Sequence, residues 1–173
     1  MININQLGAI FSHSGDRIFT FFGPLNDACD EFSIDTPKRI APFLAEVAHE
    51  SCELKFLEEI ASGEAYEGRA DLGNTEPGDG VRFKGRGLLQ ITGRFNYQAC
   101  GAALGLDLIA NPELLITPAN AARSAGWFWR DFKKLNALAD AGDFREITKR
   151  INGGFTGYAD RLAYLEIAKE QFA

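Results

Sequence analysis

Residues 36–59 read TPKRIAPFLAEVAHESCELKFLEE and combine the clearest helix pattern of the chain with five glutamates. Thr36 is a typical N-cap, and Pro37 suits the first helical position because that position needs no backbone N–H donor. Small and apolar residues then follow the i, i+3, i+4, i+7 spacing of one buried stripe: Ile40, Phe43, Leu44, Val47, Ala48 and Ser51. The pattern predicts a helix from Pro37 to about Leu54.

Glu50 lies at the edge of this stripe. At about 100° per residue, it is roughly 90° from the centre of the stripe, beside Phe43 and Leu54. A carboxyl group there is half removed from water, and burial disfavours its charged form. A general acid that works near neutral pH needs this property. The alternative is an ordinary boundary glutamate whose carboxylate remains in solvent.

A second carboxyl group is needed if the site cleaves glycosidic bonds. In the inverting geometry the two groups lie ~6.5–9.5 Å apart, with a water molecule between them. On a continuous helix Glu59 would lie ~13.5 Å beyond Glu50 and on the opposite side. It is therefore the partner only if the helix ends between the two residues. Periodicity does not choose between Glu59 and its rivals Glu58, Glu64 and Glu67.

Other catalytic motifs fit less well. His49-Glu50 begins the zinc motif H-E-x-x-H, but position 53 is glutamate and the only other histidine is His13. Residues 78–87, GDGVRFKGRG, lack the G-K-[ST] ending of a phosphate-binding loop, and the chain has no G-x-S-x-G motif. We therefore expect neither a metal site nor a cofactor.

The composition limits the class of protein. The net charge of −6 argues against binding to nucleic acid, which requires clustered Lys and Arg. The chain has no apolar run of 18 residues, so we expect no membrane insertion. Cys29, Cys52 and Cys100 are an odd number without metal-site spacing, which favours reduced thiols. The first residues, MININQLGAIFSHSGDR, do not match a secretory signal, which predicts a cytoplasmic protein or another route of export.

The 173 residues predict a single, mainly helical domain. Residues 61–92 differ from the rest, because seven glycines and one proline predict an irregular lobe, with a possible short hairpin at 81–91. Caps and apolar periodicity predict the other helices at 3–12, at 24–33 opened by Pro24, at 94–104, from Thr117-Pro118 onward, at 144–151 capped by Asp143, and at 157–172.

Three motifs together resemble those of the family 19 glycoside hydrolases, the chitinase-like enzymes that include bacteriophage endolysins. They are AHES at 48–51, FKGRGLLQITGRFNY at 83–97, and INGG at 151–154 followed by DR at 160–161. They occur in the order of the family and span about 115 residues. The resemblance implies a lysozyme-like, mainly α-helical fold with two lobes and a central cleft. It also implies inverting hydrolysis of a β-1,4 bond next to an N-acetylated sugar.

The resemblance assigns roles to three residues. Glu50 matches the general acid of the family. Glu59 matches the general base of its short, phage-type members, whereas plant-type members place that base farther along the chain. Thr92 matches the residue that helps to hold the attacking water, a role that a hydroxyl group suits as donor and acceptor.

Five further residues match positions of the family's cleft. Gln90, Asn96 and Asn152 would bind sugar hydroxyl and N-acetyl groups, although loop and cap bonding would explain them equally. Tyr97 would stack on a sugar ring, or merely pack. Arg161 would orient a catalytic carboxylate through a bidentate contact, or form a surface ion pair.

Two aromatic residues are not assigned to the site. Trp127 and Trp129 project ~160° apart on a helix, so both cannot face one groove.

The leading functional hypothesis is a monomeric endolysin that hydrolyses the glycan strand of bacterial peptidoglycan. By analogy with phage lysis enzymes, it would remain in the host cytoplasm until a holin releases it to the cell wall. A chitinase is the first alternative. A lytic transglycosylase, which uses one glutamate and no attacking water, is the second. A catalytically inactive sugar-binding module is the third.

Overall fold

The computed structural model describes residues 1–173 and is mainly helical, as the sequence predicts. The nine α-helices are α1 (Ile4–Ile10), α2 (Arg17–Glu31), α3 (Pro37–Glu50), α4 (Asp79–Arg82), α5 (Arg94–Leu104), α6 (Pro118–Trp127), α7 (Asn136–Ala141), α8 (Phe144–Asn152) and α9 (Tyr158–Gln171). Three 3₁₀ segments lie at Glu64–Tyr66, Ala70–Leu72 and Pro112–Ile116, and a π-helical segment at Phe128–Phe132 extends α6. None of the helices combines the length and apolar composition that crossing a membrane requires.

Helix α3 occupies the centre of the hydrophobic core. Every residue from Ile40 to Ala48 is buried, so the single apolar stripe predicted for this helix is too narrow. The helix packs most extensively against α9 and also contacts α7 and α1. Its burial includes Glu46, which is 0% exposed. A charged residue inside this core therefore requires partners from the surrounding helices.

Helix α3 ends at Glu50, four residues earlier than predicted. The three residues Cys52, Glu53 and Leu54 have left-handed backbone conformations, with φ of 49°, 53° and 67°. The Ser51 hydroxyl stabilises this ending, because it donates to the Val47 carbonyl at 2.7 Å and accepts from the Leu54 amide at 2.8 Å. The chain therefore leaves the helix axis directly after Glu50, and Glu59 lies on a different segment.

Helix α2 begins at Arg17, so the predicted start at Pro24 is wrong. Proline inside a helix loses one backbone hydrogen bond, which is why the sequence predicts a helix start at Pro24. Here Ile18, Phe21 and Leu25 bury one continuous face on both sides of Pro24. Packing of that face against α6 offsets the lost hydrogen bond.

The glycine-rich lobe contains the first two 3₁₀ segments and α4. The hairpin predicted at 81–91 is reduced to single bridges, in which Arg86 pairs with Ile91 and with Glu58. A partly buried ion pair fixes the lobe to the start of α5, since Arg94 Nε donates to the Asp79 carboxylate at 2.7 Å. This contact lowers the pKa of Asp79 below its ordinary value.

The three cysteines are free thiols, as predicted. Burial raises the pKa of both Cys29 and Cys100 to about 12, so these two thiols are unreactive near neutral pH.

The packing of α6 on α2 leads to a stability prediction. A Cβ atom at Gly126 would lie 2.3 Å from the buried ring of Phe32. We expect Gly126→Ala to lower the free energy of unfolding by about 1–3 kcal/mol, measured by thermal or urea denaturation. Gly8→Ala is the matched control, because the space beside Gly8 in α1 is open. The control should stabilise by about 0.5–1 kcal/mol, and equal stability of the two variants would contradict this packing.

Candidate active site

A cleft of about 420 Å³ separates the glycine-rich lobe from the helical body. Tyr66 and Leu72 contribute the lobe side, and residues 89–92 together with Asn96 form the next wall. The opposite wall comes from Trp127, Phe128, Phe132 and Lys133, while Ile151 and Asn152 at the end of α8 and Glu50 at the end of α3 complete the lining. The predicted residues Glu50, Gln90, Thr92, Asn96 and Asn152 therefore share one cleft.

The Glu50 carboxyl group accepts a hydrogen bond from Arg161 on its buried side, away from the cleft. Arg161 Nη2 donates to Glu50 Oε1 at 2.5 Å, and Nη1 donates to Glu46. The other oxygen of Glu46 accepts from the Thr148 hydroxyl at 2.6 Å. Glu50 keeps 22% of its side-chain surface exposed, whereas Arg161 and Glu46 have 2% and 0%. Only Glu50 of this trio faces the cleft.

This cluster contains two carboxyl groups and one guanidinium group. Burial raises the pKa of Glu46 above its ordinary value, although the Arg161 charge and the Thr148 hydrogen bond act in the opposite direction. One arginine balances the charge of one carboxylate, so a second charge in the same buried place is unfavourable. Arg161 therefore links the buried carboxyl group of Glu46 to the cleft-facing carboxyl group of Glu50.

The structure corrects the predicted geometry of Arg161. It contacts two glutamates with one N–H group each, not one carboxylate through a bidentate pair, and it does not reach the cleft. It is thus a positioning residue and not a substrate-binding one. Sequence reasoning missed Glu46, although its i−4 spacing from Glu50 places both residues on the same helix face. That spacing was the signal that was available, because Glu46 itself lies outside the predicted apolar stripe.

Glu59 lies at the edge of the cleft, where it is hydrogen-bonded to Gly85 and to the cleft residue Tyr66. Its carboxylate accepts hydrogen bonds from the Tyr66 hydroxyl at 3.0 Å and the Gly85 amide at 3.1 Å. A Cβ atom at Gly85 would lie 3.3 Å from both Glu59 Oε2 and Thr92 Oγ1, so these two oxygens are within about twice that distance of each other. The same Cβ would lie 2.7 Å from Gln90 Oε1. The absence of a side chain at Gly85 leaves space among these three polar groups.

The structure gives the rivals of Glu59 other contacts. Glu58 accepts from Arg86 Nε at 2.8 Å and lies 3.6 Å from the Lys84 ammonium group. Glu67 accepts from the backbone amides of Gly78 and Gly80, at 2.7 and 2.8 Å, and so fixes a turn of the lobe. Glu64 is exposed.

The hydroxyl and amide groups of the next wall are oriented by backbone contacts. Thr92 donates to the Gln90 carbonyl at 2.9 Å, so its oxygen remains free to accept. Asn96 Nδ2 donates to the Thr92 carbonyl at 2.7 Å, and Gln90 Nε2 donates to the Gly87 carbonyl at 2.9 Å. The amide oxygens of both residues therefore remain available as acceptors. Asn152 lies exposed at the end of α8.

Tyr97 does not belong to the cleft, so its assignment as a stacking residue is wrong. Its side chain is 0% exposed and packs on Phe83, with ring centroids 5.2 Å apart. Its hydroxyl donates to the Lys84 carbonyl at 2.6 Å and accepts from Arg86 Nη1 at 3.1 Å. Tyr97 therefore fixes the segment that carries Gly85 through hydrogen bonds to the residues on either side of it, Lys84 and Arg86.

The aromatic wall was missed because α6 does not continue as a regular α-helix. The Lys133 amide donates to the carbonyl of Phe128, five residues earlier, at 2.9 Å. Such π-turns widen the helix, so side-chain directions predicted at 100° per residue are wrong beyond this point. They also occur frequently at functional sites. Trp129 is fully buried, while Trp127 lines the cleft and stacks on Phe132 at 5.2 Å.

A second hollow, of about 500 Å³, lies between α3, α7, α8 and α9. It contains none of the predicted site residues, and Asp143, its only carboxylate, caps α8 by accepting from the Glu146 amide. The larger hollow thus lacks a pair of carboxyl groups, and five of the predicted site residues line the smaller cleft instead.

The cleft combines the Glu50 carboxyl group with amides and aromatic rings, and the Glu59 carboxylate lies at its edge, hydrogen-bonded to Tyr66. Two carboxyl groups on either side of a bound sugar chain are typical of sites that cleave glycosidic bonds. Comparison with known proteins agrees. The family model described as chitinase class I matches residues 19–143. An endochitinase of Arabidopsis thaliana is 38% identical over 118 residues, which cover 68% of this chain and 40% of that protein. The chain therefore belongs to glycoside hydrolase family 19.

A bacterial relative and two solved structures extend this result. A glycosyl hydrolase family 19 domain-containing protein of Haemophilus influenzae is 35% identical over 104 residues, covering 60% of this chain and 49% of that protein. Chitinase C of Streptomyces griseus matches with a TM-score of 0.81 and 25% identity, covering 99% of this chain and 76% of that chain. A bacterial family 19 chitinase matches with the same TM-score at 24% identity, covering 99% and 95%. The predicted lysozyme-like fold is confirmed, and the chain spans at most half the length of these curated relatives.

The buried carboxyl group of Glu46 leads to a prediction on pH. Because its pKa is raised, the native state holds this proton more tightly than the unfolded chain does. Its contribution to stability is complete below the ordinary pKa of about 4.3 and is lost as the pH rises through the native value. Glu46→Gln removes the ionisation and keeps the size, with an oxygen for Arg161 and an N–H donor for Thr148.

We therefore expect the wild type to lose stability relative to Glu46→Gln as the pH rises from about 4.3 towards 8. The free energy of unfolding in urea, measured across this range for both proteins, checks the expectation. A constant difference between the two proteins would show that Glu46 titrates normally.

Proposed function

We propose that this chain hydrolyses β-1,4 glycosidic bonds next to N-acetylated sugars, by an inverting mechanism, in the glycan strand of bacterial peptidoglycan. The observation that carries the proposal is the position of Glu50, which faces the cleft while buried Arg161 and Glu46 hold it from behind. Membership of family 19 supports the reaction class.

In this mechanism Glu50 is the general acid. Glu50 is the only member of the trio that a substrate can reach, so the transferred proton comes from Glu50. Glu50 passes this proton to the glycosidic oxygen while the bond between that oxygen and the anomeric carbon breaks. The leaving sugar departs as a neutral alcohol.

Glu59 and Thr92 act on the attacking water. The Thr92 hydroxyl hydrogen is already used by the Gln90 carbonyl, so Thr92 accepts one hydrogen of the water. Glu59 takes the other hydrogen as a proton when the water oxygen bonds to the anomeric carbon. The hydrogen bonds from Tyr66 and Gly85 orient the Glu59 carboxylate for this step. The configuration at the anomeric carbon is inverted.

Peptidoglycan and chitin share the sugar that this site would bind. The amide groups of Gln90, Asn96 and Asn152 suit hydroxyl and N-acetyl groups in either polymer. The short separation of Glu50 and Glu59 in the chain resembles phage lysis enzymes and favours peptidoglycan. Chitin is the second candidate, because relatives and solved structures of this family carry the names of chitinases. Monomeric action and holin-dependent release from the cytoplasm stay predictions.

Product analysis separates these functions. The protein is incubated with purified peptidoglycan and, separately, with chitin oligosaccharides, and the products are identified by mass spectrometry. New reducing ends from peptidoglycan support the proposal, and release from chitin alone supports the chitinase. Anhydro-sugar ends would indicate a lytic transglycosylase, and binding without shortening of the glycan would indicate an inactive sugar-binding module.

Glu50→Gln should abolish nearly all turnover, by about 10²–10⁴-fold, because the amide cannot donate a proton to the leaving oxygen. Initial rates on the preferred glycan measure the effect, and far-UV circular dichroism verifies the fold. Glu166→Gln, an exposed change on α9, is the control and should keep the wild-type rate. Turnover by Glu50→Gln at the wild-type rate would refute the acid role.

Glu59→Gln should be nearly as severe as Glu50→Gln, since the amide cannot take a proton from water. Thr92→Ala should lose about 10-fold to 100-fold in kcat, because the water is less well oriented. Steady-state kinetics on the same glycan compare both with Glu64→Gln, which we expect to be fully active. Full activity of Glu59→Gln would mean that another group is the base.

A further inference from the structure

Lys133 is the only cationic residue that lines the cleft. It follows the π-helical segment directly, and its ammonium group lies over two rings of the aromatic wall, 5.4 Å from the centroid of Phe128 and 5.2 Å from that of Phe132. These rings hold the charge against the cleft wall by cation–π attraction. The position of the charge is therefore fixed by the same turn that brings the rings to the cleft.

The ammonium group of Lys133 has no carboxylate partner within the chain. Burial lowers its pKa, and no acidic group opposes this shift. The nearest acidic residue in sequence, Asp131, is occupied by Arg130, whose Nε and Nη2 donate to it at 2.6 and 2.7 Å. Within the cleft, Glu50 is bonded to Arg161.

A half-buried, unpaired cation costs folding free energy unless a ligand compensates it. Charges in such positions are concentrated at binding sites, where the ligand supplies the opposite charge. Chitin has no anionic group and would leave Lys133 unpaired. The peptidoglycan strand carries carboxylates, on the lactyl groups of its muramic acid residues or on the peptides attached to them.

We propose that Lys133 binds a carboxylate of the substrate and thereby selects muramic-acid-containing glycan over chitin. This inference rests on the proposed function, because it requires a glycan chain in the cleft. Phe128 and Phe132 confine the ammonium group so that its N–H donors are directed to the substrate. The lactyl group and the attached peptide offer the same carboxylate chemistry, and the experiment distinguishes them.

Binding is measured by calorimetry in the Glu50→Gln background, so that no substrate is consumed and the result does not depend on turnover. Three ligands are compared: chitin oligosaccharides, muramic-acid oligosaccharides free of peptide, and the same oligosaccharides with peptides attached. Each is titrated with Lys133 intact, with Lys133→Met and with Lys133→Arg. Lys134→Met is the matched control, because Lys134 is the exposed neighbour outside the cleft lining.

We expect Lys133→Met to weaken binding of the carboxylate-bearing ligands about tenfold or more, the range of a hydrogen bond between charged groups. Binding of chitin oligosaccharides should change less than about twofold, and Lys133→Arg should restore most of the lost affinity. Added salt should weaken binding when Lys133 is present and have little effect in Lys133→Met. A loss confined to the peptide-bearing ligand identifies the peptide as the source of the carboxylate.

Equal losses for chitin and muramic-acid ligands would overturn the inference, since they would indicate packing and not charge recognition. Unchanged affinity for all ligands would overturn it as well. A charge-dependent preference in binding, combined with no hydrolysis of any glycan by the wild type, would instead refute the proposed function and leave this inference standing.

Discussion

The buried guanidinium group of Arg161 is the interaction on which the site depends. Arg161, on α9, connects this helix to the end of α3 by donating to Glu46 and Glu50. Helix α8 joins the same cluster, because the Thr148 hydroxyl donates to the second oxygen of Glu46. The guanidinium group and Glu46 both lie in the core. Removing either one would leave the charge of the other buried and unpaired, which is strongly destabilising. The direction in which Glu50 faces is thus fixed by packing of the helical body.

The second constraint is the abrupt end of α3. Three left-handed residues after Ser51 turn the chain away from the helix axis, and it returns at Glu59 beside Gly85. A longer helix would have placed Glu59 far from Glu50. The lobe therefore lies across the cleft from Glu50, and the carboxyl groups of Glu50 and Glu59 are carried by separate segments of the chain.

The sequence predicted those features that depend on neighbouring residues, such as the starts of helices. Thr36-Pro37 and Asp143 marked the starts of α3 and α8, because caps depend on neighbouring residues. Pro24, Tyr97 and Trp127 were misjudged, because their surroundings are set by α6, by the lobe and by a π-turn. Glu46 was overlooked because its partners come from Thr148 and Arg161, about a hundred residues further along the chain. Most of the fold and five cleft residues were thus accessible from the sequence, and the supporting contacts were not.

The central claim is that two carboxyl groups share one guanidinium group behind the cleft and that burial raises the pKa of Glu46, the inner of the two. Carbon-13 NMR of selectively labelled glutamate side chains tests it directly, through the pH dependence of the carboxyl carbon shifts. We predict that the carboxyl signal of Glu46, assigned with Glu46→Gln, keeps the shift of a protonated group to a higher pH than the signals of exposed glutamates do. Ionisation of Glu46 at the same pH as the exposed glutamates would contradict the account.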